Sequence, residues 1–118
     1  MTEFRVLIGS SAFDASVEFY GDLLGYPVTL QWDADGNQGR GRIFAAGSEA
    51  RIEIIEGATT PVGLTLGIQT DDVAAVAARL GPRLTQLLTD QPWGHRNCAT
   101  VDPNGVTLTF FQVPPFSA

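Results

Sequence analysis

The sequence predicts an α+β protein built from two similar halves. Runs such as 4–8 and 106–110 alternate apolar and polar side chains, the two-residue period of a strand with one face buried. Segments starting near Asp14 and Asp71 instead repeat apolar residues every three or four positions, as an amphipathic helix does. The two helix starts lie about 57 residues apart with the same order of elements around each, a repeat in element order rather than in residue identity.

In chain order, Phe4–Ile8 has strand composition, with Phe4, Val6 and Ile8 on one face and Arg5 and Leu7 on the other. Asp14 or Ser16 is suited to cap a helix carrying Val17, Tyr20, Leu23 and Leu24, and Gly25 stands where it stops. Strands follow at Val28–Trp32, Gly41–Ala46 and Ala50–Glu56, the first two separated by the turn-rich loop Asp33–Gly39. Residues 57–63 have linker composition. The order then restarts with a strand at Leu64–Gln69 and a helix opened by Asp71-Asp72, carrying Val73, Val76, Ala77 and Leu80 and closed by Gly81-Pro82. Strands at Arg83–Leu88, His95–Val101 and Val106–Gln112 complete the second half. Asp102-Pro103-Asn104-Gly105 reverses the chain between the last two: Pro103 presets φ, Asn104 tolerates a left-handed conformation and Gly105 accepts positive φ.

Length and composition exclude several function classes. With 118 residues, 44% of them hydrophobic, the chain is expected to form one domain with a real core. No apolar run approaches the roughly 18 residues of a membrane span, and Met1–Arg5 lacks the layout of a signal peptide, so a cytoplasmic location is expected. A net charge of −6 disfavours nucleic acid, and the absence of lysine excludes Schiff-base chemistry. Cys98 is the only cysteine; without a second thiol or a His-Asp constellation it reads as a packed thiol. His95 is the only histidine, next to Trp93 and Arg96, and reads as a ligand contact or a surface residue.

Two stretches carry a family resemblance. Ser16-Val17-Glu18-Phe19-Tyr20-Gly21-Asp22-Leu23-Leu24-Gly25 matches an S-x-x-F-Y-x-x-x-L-G signature, and Pro92-Trp93-Gly94-His95-Arg96 precedes a short strand, Asp-Pro-Asn-Gly and a final strand. Together they resemble the glyoxalase / bleomycin-resistance / extradiol-dioxygenase (vicinal oxygen chelate) superfamily, and the second run looks most like its drug-binding branch. The resemblance implies one domain over 1–118, made of βαβββ modules at 1–57 and 63–113. It implies a curved eight-stranded mixed sheet with the helices on the outer face and a cleft within.

Enzymes of that superfamily hold a divalent metal with one side chain each from the first, fourth, fifth and eighth strands. Carried onto this sequence, those positions hold Arg5, Glu53, Thr65 and Thr109, of which only Glu53 is a good ligand. No cofactor or metal is therefore expected, and the four are expected around one cavity. Arg5 and Glu53 either pair there or reach solvent separately. Trp32, Phe44, Trp93 and Phe111 lie on strands or loops expected to border the cleft, with His95 beside them, and suit a flat or cationic ligand. The leading expectation is a non-catalytic homodimer that sequesters a drug or metabolite. The alternatives are a glyoxalase-like lyase, isomerase or dioxygenase with a degenerate metal site, and a structural dimer module with no ligand.

Overall fold

The structure, a computed structural model, describes residues 3–58 and 63–116, so most of the expected linker lies outside the described residues. The chain divides into two compact units, meeting in sequence at Val62 and Gly63. Each unit contains a four-stranded mixed sheet and a helix in the order β-α-β-β-β. Among the described residues no helix is long and apolar enough to cross a membrane.

In the first unit β1 (Phe4–Ser10), β2 (Val28–Trp32), β3 (Gly41–Ala45) and β4 (Ala50–Glu56) pair in the order β1-β4-β3-β2, with only β1 and β4 parallel. Side chains directly opposite one another share a face, so the register places Ile8 with Ile54 and Phe44 with Ile52. All four are buried. They pack with Phe13, Phe19 and Tyr20 of the helical segment, whose Tyr20 ring lies 5.9 Å from that of Phe44.

The start of this helix differs from the expectation. α1 begins at Phe13, and neither Asp14 nor Ser16 caps it. The Ser10 hydroxyl instead accepts from the Ala12 N–H at 3.0 Å, Ser16 Oγ donates to the Ala12 carbonyl, and the Asp14 carboxylate turns outward to meet Arg40 at 2.9 Å. After Val17 the coil widens into a π-helical turn over Glu18–Leu23, and Gly25 at φ 75° ends it.

In the second unit β5 (Thr65–Gln69), β6 (Leu84–Asp90), β7 (Arg96–Val101) and β8 (Thr107–Gln112) pair in the order β5-β8-β7-β6, again with the first pair parallel. α2 (Val73–Leu80) is capped as expected by Asp72, whose carboxylate accepts from the Ala75 N–H at 3.1 Å. It buries Val73, Ala77 and Leu80, while the sheet contributes Cys98, Leu108 and Phe110 to the buried core. At the β7–β8 reversal, Asp102 accepts from the N–H groups of Asn104 and Val106, both at 2.8 Å. Only Gly105 takes positive φ there; Asn104 stays in the ordinary range.

Candidate functional site

Each sheet has one face toward its helix and one away from it, and most of the sequence-predicted site residues lie on the second. In the first unit Leu7 and Ile43 stand opposite Glu53, while Leu30 stands opposite Ile43 and Trp32 opposite Gly41. Arg5 shares this face, because its Nη1 donates to Glu53 Oε1 at 2.8 Å. Of the two arrangements the sequence left open, pairing or separate contact with solvent, the structure shows the pair. Glu53 keeps 9% of its side chain accessible and Arg5 37%, and Arg5 also reaches Glu3 at 2.7 Å. Hydrogen bonds to Glu3, then to Glu53, raise the guanidinium pKa above its ordinary value.

Trp32 lies flat against the backbone of Gly41, where only a residue without a Cβ leaves room, and its indole N–H donates to the Gly39 carbonyl at 3.1 Å. Phe44 requires a correction: it does not border an open face. It is 0% exposed, on the helix side of β3, because the alternation that sends Ile43 toward Glu53 sends its neighbour into the core.

In the second unit Thr109 stands opposite Gly67 and Ala99, Thr65 opposite Thr107, and Phe111 opposite Asn97, all on the helix-free face. Thr65 is exposed and Thr109 half-buried. The imidazole of His95 stacks on Phe111, with centroids 4.8 Å apart and planes 11° apart. Trp93 meets His95 edge-on at 6.5 Å and is 64% exposed. A tight loop presents these rings: the Gln91 N–H donates to the His95 carbonyl at 2.7 Å, and Gly94, at φ 97°, donates back to the Gln91 carbonyl at 3.0 Å. Arg96 closes the loop by pairing with Asp90 at 2.6 Å, which holds that carboxyl below the usual range.

Sequence reasoning missed a polar cluster beside the stack. Asn97 is only 6% exposed, and its Oδ1 accepts from Gln86 Nε2 at 2.6 Å and from Gln91 Nε2 at 3.0 Å. An asparagine two positions beyond a histidine in an alternating strand carries no signal of this. The convergence depends on the β6–β7 pairing. Cys98, one residue on, points into the core; burial pushes its thiol pKa up and leaves it a packing group, as expected.

The donor set does not suit a divalent metal. Glu53 is already engaged by a guanidinium, Arg5 cannot act as a ligand, and Thr65 and Thr109 offer neutral hydroxyls. Among the described residues no three His, Cys, Asp or Glu side chains cluster.

Comparison with known proteins adds the following. The family model described as Glyoxalase/Bleomycin resistance protein/Dioxygenase superfamily matches residues 4–110. No curated protein matches the chain. Among solved structures, TioX from Micromonospora sp. ML1 is similar at 18% identity and a TM-score of 0.78, over 97% of this chain and 100% of that one. TnmS3, an antibiotic binding protein from Streptomyces sp. CB03234, is similar at 25% identity and a TM-score of 0.74, over 97% of each chain. A glyoxalase / bleomycin resistance protein from Catenulispora Acidiphila DSM 44928 is similar at 18% identity and a TM-score of 0.71, over 97% of this chain and 100% of that one.

Proposed function

The chain belongs to the Glyoxalase/Bleomycin resistance protein/Dioxygenase superfamily, and from that premise we propose that it is a non-catalytic protein that binds and sequesters a small planar molecule of the antibiotic or metabolite kind. The observation that carries the reading is the His95–Phe111 stack with the exposed Trp93 at its edge. Aromatic rings hold a flat partner by stacking, and a cationic one by a further attraction of roughly 0.5–2 kcal/mol per ring. Sequestration needs affinity alone, so a donor set unsuited to metal does not count against it. The similarity to TnmS3, an antibiotic binding protein, supports the same class of ligand.

Trp32 supplies a second flat surface on the first unit, held in place by Gly41, and the Arg5–Glu53 pair places paired charge on the same face. Leu7, Leu30 and Leu87 are exposed on strands that edge their sheets. Covering them in a homodimer would bury apolar surface and shield unpaired strand edges. Sedimentation at micromolar concentration is expected to give twice the 12.6 kDa of one chain; a species of 12.6 kDa removes the dimer from the reading.

The binding reading is tested with proflavine, a planar cation that fluoresces. Titration is expected to raise its anisotropy and quench tryptophan emission in the native protein. No response up to millimolar dye, with the fold intact by circular dichroism, overturns it.

A further inference from the structure

We propose that Asn97 sets the specificity of this site by donating from its amide NH2 to an oxygen acceptor on the ligand's ring edge. The preferred ligand is then a planar molecule bearing a ring carbonyl, rather than any flat or cationic ring. The inference rests on the binding reading above.

The argument begins with the two donors that meet Asn97 Oδ1. Gln86 Nε2 and Gln91 Nε2 occupy both acceptor directions of that oxygen, at 2.6 and 3.0 Å. With the glutamines so placed, turning the Asn97 carboxamide alone would set NH2 against NH2. The Asn97 NH2 meets no acceptor among the described residues. No fully enclosed side-chain polar atom there lacks a partner, so Nδ2 must open to solvent. A residue that is 6% exposed thus presents a donor through a narrow opening.

Its position gives the donor a use. Asn97 lies two residues beyond His95, which immediately precedes β7, and directly across from Phe111, on which His95 stacks. A planar molecule that extends the stack brings its edge to the amide. A carbonyl there completes a hydrogen bond already shielded from competing water, whereas a ring without an acceptor strips water from the NH2 and returns nothing. The scaffold needs only the oxygen of Asn97, since both glutamine bonds end on it.

Asn97→Asp separates the two uses. The aspartate keeps an oxygen for Gln86 and Gln91 and removes both N–H donors. Two fluorescent planar probes are titrated by anisotropy: riboflavin, whose ring carries carbonyl oxygens, and proflavine, which has none. The wild-type protein is expected to bind riboflavin, and Asn97→Asp to weaken that binding about tenfold while leaving proflavine as tight or tighter. Asn97→Ser, which also removes the amide, is expected to lose the same preference and serves if the aspartate variant does not fold. Equal shifts for both probes would show that Asn97 serves the scaffold alone, and the proposal falls. Wild-type protein that binds proflavine but not riboflavin overturns this proposal and leaves the binding reading standing. Protein that binds neither overturns both.

Discussion

The indole of Trp32 rests on the Cα of Gly41 across the β2–β3 ladder, so close that a methyl group at Gly41 would overlap the ring. Gly41→Ala is therefore expected to expel the indole from its seat and break its hydrogen bond to the Gly39 carbonyl. The cost should be about 1–3 kcal/mol of stability, as for other overpacked sites. A red shift of tryptophan emission together with a lower urea midpoint checks this, and an unchanged spectrum would show that the ring has room to tilt.

Trp93 is exposed but placed at the edge of the His95–Phe111 stack. Trp93→Ala is expected to weaken proflavine binding by about 1–3 kcal/mol while leaving the urea midpoint nearly unchanged. A variant that binds as tightly as the parent would remove Trp93 from the ligand contacts.

Phe44 gives the opposite pattern. It is fully buried against Tyr20, so Phe44→Ala is expected to cost about 3–5 kcal/mol of stability, and probe affinity measured on the folded fraction should not change. A selective loss of affinity would return Phe44 to the site.

The Arg5–Glu53 pair is asymmetric, and the asymmetry predicts an order. Glu53→Gln leaves Arg5 with Glu3 and with solvent, whereas Arg5→Met leaves a nearly enclosed carboxylate without its cation. The arginine variant is expected to be the less stable of the two in urea. A crystal soaked in zinc, nickel or manganese is expected to show no ordered ion on Glu53, and a bound ion there would reopen the catalytic reading.

Tyr26 makes stability fall at high pH. Burial pushes its hydroxyl up from 10.0 to about 12. The unfolded chain therefore releases this proton first, and stability begins to decline above pH 10 and has lost the whole contribution by about pH 12. The loss should be at most about 3 kcal/mol, and Tyr26→Phe should abolish it. Absorbance titration at 295 nm checks the shift, and a normal Tyr26 titration near 10 would contradict it.

Much of the fold was legible because the signals are local. Alternation, strand composition and the turns between them marked all eight strands to within one or two residues, and the Asp71-Asp72 cap was recognisable from its place before an apolar run. The first helix was misread at its start: neither Asp14 nor Ser16 caps it, and Ser10, outside the helix, holds the N–H of Ala12, the residue before it. Local sequence does not reveal which nearby hydroxyl reaches a free N–H.

The sequence by itself determined the strands, the turn at Asp102 and the poverty of metal donors at Arg5, Glu53, Thr65 and Thr109, since each depends on residue type and spacing. Tertiary structure decided what faced where. Alternation separates Ile43 from Phe44 but does not say which of them meets the helical segment; the π-helical turn carrying Tyr20 does, and Phe44 went to the core. Nor does spacing bring Gln86 and Gln91 to the same oxygen of Asn97. Hydrogen bonds between side chains act over about 3 Å, and only the paired β6 and β7, with their closing loop, bring three amides from separate positions within that reach.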